Sequence, residues 1–393
     1  MIPSENTLEK PLASEATSFH VARLMPRFPL FAVIFWTLLP VLQAQWDVVT
    51  HEGRRFVPID NVATFYKMSQ TASGGGFRLS AQGRSIEGKP GGRDVRINGV
   101  KYVLCFPIVS RGGQVLISAM DVTKIIEPVM RPQKIRNATA VRTVILDAGH
   151  GGHDGGARGP FGLEKDAALD VVLRAKKLLQ ENGYQVRLTR STDVFIPLEK
   201  RPEFANRHAN AVFVSVHFNK SAQGGGTGIE TFCLAPRGVP SMDEENLSYS
   251  DLKQHPGHAR DPENIALATA VHASMVKSLT LPDRGIKRAR FVVIKNSTIP
   301  AILVEGGFMN HQQDSRLIAN TEYRQRMARA ILDGVNLFKT AVSGKPAYQK
   351  PSVVASAADP TDAPSLRSVE NTPIGSSTDN ASAVEAAVKS LAN

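Results

Sequence analysis

The sequence predicts an α/β layer fold preceded by a small β-rich domain, on three observations. Between residues 142 and 341, short apolar runs alternate with longer stretches of helical periodicity, the pattern of an α/β layer architecture. The first such stretch sets Ala168, Val172, Ala175 and Leu179 on one face and stops at Gly183. Residues 46–130 instead alternate apolar and polar positions between glycine-rich turns. At 393 residues the chain is long enough for two or three domains.

Residues 1–24 are mostly polar. Met25-Pro-Arg-Phe-Pro-Leu-Phe-Ala-Val-Ile-Phe-Trp-Thr-Leu-Leu-Pro-Val-Leu-Gln-Ala44 then joins a basic start to an apolar core and a small residue. That is the make-up of a secretory signal. The apolar stretch falls short of the roughly 20 residues a membrane span needs. Cleavage near Ala44 competes with retention as an amino-terminal anchor, which would be the chain's one membrane contact. Either way the remainder is expected outside the cytoplasm: periplasmic, in the cell envelope or secreted.

In the β-rich domain, Arg55-Phe-Val-Pro-Ile-Asp60 and Val115-Leu-Ile-Ser-Ala119 read as short strands, and Val95–Val103 as a hairpin turning at Asn98-Gly99. Asn61–Met68 and Met120–Ile126 read as short helices. Arg55-Phe-Val-Pro-Ile59 and Arg96-Ile-Asn-Gly99 resemble the amino-terminal stalk-like domain of copper amine oxidases, which implies a binding or spacer role. His51 stands alone, so no metal cluster is expected there. Residues 131–141 are basic and aperiodic and read as a linker.

The second domain, 142–341, carries expected strands at Thr143–Asp147, Gln185–Thr189, Ala211–His217, Gly228–Leu234, Phe291–Ile294 and Ala301–Glu305. Two further helices are expected at Pro262–Leu279 and Thr321–Phe338. Pro236–Asp261 is an irregular insertion with carboxylates at Asp243, Glu244, Glu245 and Asp251. It reads as a gate over a site or as a surface loop. After Ser343 the chain is rich in Ala, Ser, Pro, Thr and Asp, too polar to repay ordering. The formal charge of +11, from 47 basic and 36 acidic side chains, suits an anionic partner. It is spread along the chain without a dense basic run, which argues against nucleic acid. The two cysteines, Cys105 and Cys233, sit in apolar runs of different domains and read as buried thiols.

Chemistry concentrates at four positions. His150 follows the apolar run Val144-Ile-Leu146 on a loop crowded with Gly149, Gly151 and Gly152. Glu164 opens the first long helix, and His217 ends a strand in Val214-Ser-Val-His-Phe-Asn219. Two imidazoles and one carboxylate suit zinc with one position open for water. Each also has a plainer reading: a chance histidine in a turn, a carboxylate favoured by the helix dipole, a capped strand end. Glu305 ends the buried run Pro300-Ala-Ile-Leu-Val304, where a carboxylate without a partner is costly. It would be explained by a water beside the metal, or by pairing with Arg201 or Arg290. His20, His153, His208, His255, His258, His272 and His311 are not expected to be ligands.

The ordered set Leu146-Asp-Ala-Gly-His-Gly-Gly-His-Asp-Gly-Gly156, Gly162-Leu-Glu-Lys-Asp166, Leu188-Thr-Arg190, Leu198-Glu-Lys-Arg201 with Ala205-Asn206, Ser215-Val-His-Phe-Asn219, Gly228-Ile-Glu230, Leu281-Pro-Asp-Arg-Gly-Ile286 and Leu303-Val-Glu-Gly-Gly-Phe-Met-Asn310 resembles the zinc-dependent N-acetylmuramoyl-L-alanine amidases of bacterial cell-wall metabolism. The resemblance spans about half the chain. It implies a twisted, mostly parallel sheet with helices on both faces. It also implies zinc on His150, Glu164 and His217, Glu305 as catalytic carboxylate, peptidoglycan as substrate, and room for a protein activator. A wall-binding protein that keeps the fold without the reaction, and a zinc peptidase of other specificity, remain alternatives.

Overall fold

The computed structural model describes residues 46–222, 225–242 and 247–344. The expected signal or anchor and the tail beyond residue 344 lie outside the described residues. Among the described residues, no helix is long and apolar enough to cross a membrane.

The amino-terminal part is β-rich, as expected. Its strands are β1 (Val49–His51), β2 (Arg54–Pro58), β3 (Ser69–Ser73), β4 (Gly76–Ala81), β5 (Arg84–Gly88), β6 (Asp94–Ile97), β7 (Val100–Val103), β8 (Val109–Arg111) and β9 (Gln114–Ser118). Helix α1 (Ile59–Tyr66) follows β2. The β6–β7 hairpin turns at Asn98 and Gly99, both at positive φ, as an Asn-Gly hairpin turn requires. The helix read at Met120–Ile126 is longer and irregular: α2 (Ala119–Asp121), a π-helical turn over Val122–Ile126, then α3 (Glu127–Met130). Ser118 caps it by accepting from the N–H groups of Met120 and Asp121.

The α/β part contains β10 (Thr143–Ala148), β11 (Arg158–Gly159), β12 (Gly162–Leu163), β13 (Gln185–Leu188), β14 (Ala211–Asn219), β15 (Ile229–Leu234), β16 (Asp283–Ala289) and β17 (Ala301–Phe308). Its helices are α4 (Glu164–Glu181), α5 (Lys200–Ala205), α6 (Asp261–Ser278), α7 (Val292–Lys295), α8 (Gln312–Ala319) and α9 (Thr321–Ser343). Strands β13, β10, β14 and β17 run parallel, β15 is antiparallel to β17, and β16 is parallel to β15. The sheet is therefore mixed. One face packs Val144, Leu146, Val214, Val216, Ile302 and Val304 against α4, α6 and α9. The other packs Ile145, Phe213, Phe232 and Leu303 against α5 and α7.

Two expectations fail locally. Phe291–Ile294 is no strand; Val292–Lys295 is a single helical turn, α7. The strand before it, β16, was not expected. Its sequence Asp-Arg-Gly-Ile-Lys-Arg-Ala carries four charged residues, and their partners are distant in the chain. Arg284 and Lys287 pair with Glu230, and Arg288 with Asp261. β16 also pairs with β7, at Ile286 and Tyr102. The β-rich and α/β parts thus share one 11-stranded sheet, ordered β13-β10-β14-β17-β15-β16-β7-β6-β5-β4-β3.

Candidate metal centre

The carboxyl ends of parallel strands open toward one edge of the sheet, where ligand sites of α/β proteins form. There β10 leads into the His150 loop, β14 ends past His217, and β17 carries Glu305. Antiparallel β12 delivers the chain to Glu164, the first residue of α4.

These elements bring His150, Glu164 and His217 together. Their potential ligand atoms all lie within 4.8 Å of one another. Nε2 of His150 is 3.0 Å from Glu164 Oε1, and Nδ1 of His217 is 2.8 Å from the same oxygen. Glu164 is buried and also accepts from the N–H groups of Ala157 and Phe218. Burial pushes its carboxyl up, but the two imidazoles outweigh burial and hold it well below the usual range. Burial also works against a charged His150, yet Glu164 and Asp154 reverse the balance and raise it.

Asp154 had no role assigned from sequence. Its Oδ2 lies 2.8 Å from His150 Nδ1, so it fixes the ring with Nε2 facing Glu164 and His217. The signal was available: Asp154 stands four residues after His150 in the same glycine-rich loop.

Two glycines are required by close approach. A Cβ on Gly149 would come within 2.4 Å of the His217 ring, and one on Gly156 within 2.5 Å of His150 Cδ2 and 2.6 Å of Glu164 Oε2. Gly156 also has φ +65°. Gly156→Ala is expected to weaken metal binding by roughly 10–100-fold, the range for disturbed ligand orientation. Metal content after gel filtration would check this, and retention equal to the parent's would contradict it.

Glu305 sits beside this group. β17 pairs His217 with Glu305 on one side, and Glu230 with Glu305 on the other. Glu305 is 9% exposed, and its Oε2 has no hydrogen-bond partner among the described residues. Neither arginine considered for it is its partner: Arg201 pairs with Asp147, and Arg290 with Asp251. Burial, then the nearby Glu164 and Glu230 carboxylates, raise the Glu305 carboxyl well above its ordinary value, with Lys287 opposing.

The loop itself is held by two buried arginines. Arg201 donates to Asp147 Oδ1 and to the carbonyls of Ala148, His150 and Ile196. Arg190 donates to the carbonyls of Ala148, Gly149, Thr192 and Lys165. Asp147 accepts from Thr189 and Ser215 as well.

A family profile for N-acetylmuramoyl-L-alanine amidase matches residues 144–337. The chain is 33% identical over 224 residues to N-acetylmuramoyl-L-alanine amidase AmiA of Escherichia coli K12, covering 51% of this chain and 78% of that protein. The chain belongs to the N-acetylmuramoyl-L-alanine amidase family. It is also 29% identical to the sporulation-specific N-acetylmuramoyl-L-alanine amidase of Bacillus subtilis, over 51% of this chain and 71% of that one. The solved structure of amidase AmiC2 of Nostoc punctiforme is 33% identical and covers 51% of this chain and 97% of its own, with a TM-score of 0.41. The family region of this amidase contains all four positions singled out in the sequence.

His20 lies outside the described residues, and among those described no other histidine joins the ligand group. His153 stacks on Phe195, and buried His272 bonds Thr231 and Asp283. His311 caps α8 through the Asp314 N–H, and His258 bonds the Ala235 carbonyl.

The insertion read as a gate leaves from the wrong edge. β15 runs antiparallel to β17, so its Glu230 end lies level with Glu305 and its Leu234 end lies toward Ala301. Pro236 onward therefore emerges opposite the metal group. Its described residues are fastened there: Asp251 pairs with Arg290, which also donates to the Pro236 and Val239 carbonyls.

Proposed function

We propose that the chain hydrolyses the amide bond between N-acetylmuramic acid and L-alanine in peptidoglycan, with zinc as its cofactor and the cell envelope as its place of action. The observation that supports this most is the convergence of His150, Glu164 and His217 beside the buried Glu305 carboxylate, whose Oε2 has no hydrogen-bond partner among the described residues. Two imidazoles and a carboxylate are a donor set suited to zinc, and three protein ligands leave one position open. The amidase relatives supply the class of bond.

Zinc on these side chains would supply Lewis acidity at the scissile carbonyl and bring the pKa of water from 15.7 down to roughly 7. Glu305 takes the proton of the attacking water and passes it to the departing L-alanine nitrogen. Water and amide thus become a lactyl carboxylate and a free amine. Asp154 keeps His150 in the tautomer whose Nε2 faces the ligand group. The loop glycines leave no side chain between the ligands.

Digestion of purified sacculi is expected to release stem peptides beginning with intact L-alanine, identified by mass spectrometry. Chelation should stop the release and added zinc restore it. Fragments in which L-alanine stays on the muramic acid would replace the amidase reading with a peptidase.

A further inference from the structure

The catalytic strands are continuous with the open sheet of the amino-terminal part, and one row of side chains crosses both. Glu305 pairs with Glu230. Strand β16 follows, and its pairing of Ile286 with Tyr102 sets Gly285 beside Lys101. Lys101 pairs with Arg96, Arg96 with Glu87, and Glu87 with Arg78. Cross-strand partners share a face. The row therefore spans seven strands from β17 to β4, about 30 Å at ~4.8 Å per strand. On the opposite face, β4–β7 bury Phe77, Leu79, Ile86, Val95, Ile97 and Tyr102. On the row's face, the side chains of Arg78 and Arg96 are 49% and 43% exposed.

At the far end lies a groove of about 660 Å³ whose charged lining is Arg78, Arg84 and Arg96 against Glu87 alone. Arg78 pairs with Glu87 at 2.8 Å, and Arg96 reaches Asp283 at 3.3 Å. Arg84 donates to the Tyr66 carbonyl and meets no carboxylate among the described residues. With Arg78 held by Glu87 and Arg96 by Asp283, Arg84 is the guanidinium in excess and leaves the groove net cationic, and Ser85 and Asn98 add polar groups to its wall.

We infer that this groove is a second contact for the substrate strand, binding the carboxylates of a stem peptide that is not being cut. The inference rests on the amidase reading. A polymer extends beyond the bond at Glu305, and its uncut stem peptides carry free carboxylates. Guanidinium forks match carboxylates bidentately. The row supplies the path between the two contacts, with Arg284 and Lys287 beside Glu230 near its start.

The test pairs binding with turnover. In a Glu305→Gln background, which spares the wall, Arg78→Gln/Arg84→Gln is expected to pellet with purified sacculi at least fivefold more weakly than its parent. Sacculi with amidated carboxylates should abolish the difference. In the active background, the loss of rate on sacculi should exceed the loss on a soluble disaccharide-peptide by fivefold or more, because that fragment is too short to reach from β17 to β4. Lys176→Gln/Lys177→Gln removes two charges from α4 on the other face and should retain sacculus binding. Equal pelleting of the double variant and its parent overturns the groove, as does a difference that survives amidation or one that the α4 variant reproduces. A parent that cuts neither polymer nor fragment refutes the amidase reading instead, and the pelleting arm still decides the groove.

Discussion

Glu305→Gln is expected to lower turnover on peptidoglycan by about 10²–10⁴-fold, the contribution of a positioned acid–base group. The exchange keeps shape and removes only the ability to take and return a proton. Zinc content should hold, because the three ligand atoms belong to other side chains. Stability separates this outcome from collapse of the site. Burial and the neighbouring carboxylates raise the Glu305 carboxyl. The unfolded chain therefore ionises first, near about pH 4.3. In metal-free protein that group's contribution falls as pH climbs from there toward the raised folded value, and stays lost above it. Glutamine does not ionise. The metal-free variant should consequently melt at or above the parent's temperature at neutral pH, with the two converging in acid. Near-parental turnover would remove Glu305 from the chemistry. Low turnover with a depressed melting temperature would mean a disturbed site.

The legible parts of this chain are those whose signal is local. β10, β14 and β17 each carry a buried apolar run that is followed, inside the strand, by Asp147, His217 or Glu305. α4 shows its buried stripe through Ala168, Val172, Ala175 and Leu179. What stayed hidden depends on partners far along the chain. β16 reads as a charged loop until Glu230 and Asp261 are set against its arginines and lysine. Phe291–Ile294 has strand composition, yet it follows directly on β16 and turns into α7, which packs against β17 and α5. Pro236–Asp261 looked like a gate because sequence shows its charge but not the direction of β15. Asp154 and the two loop-holding arginines sit inside recognisable motifs, but their roles appear only when donors and carbonyls are placed.

Arg201→Met is expected to destabilise the fold by about 3–5 kcal/mol, the cost of removing one partner from a buried ion pair. At 2% exposure Arg201 faces Asp147, which is fully buried, so solvent cannot screen the charge left behind. Thr189 and Ser215 still donate to Asp147, which limits the loss without neutralising the carboxylate. The melting temperature should fall on the order of 10 °C, at roughly 2–4 °C per kcal/mol for a unit the size of the α/β part. The same change releases the carbonyls of Ala148, the last residue of β10, and of His150, which stands past the strand at φ +58°. Zinc affinity should therefore drop together with stability, although Arg201 contacts none of the ligand atoms. Arg201→Lys distinguishes charge from geometry. It restores a cation beside Asp147, but an ammonium cannot reproduce the planar fork that spans a carboxylate and three carbonyls. It should recover part of the melting temperature and little of the metal affinity. Equal recovery of both would make Arg201 a counter-charge alone and leave the His150 loop to be held by Arg190.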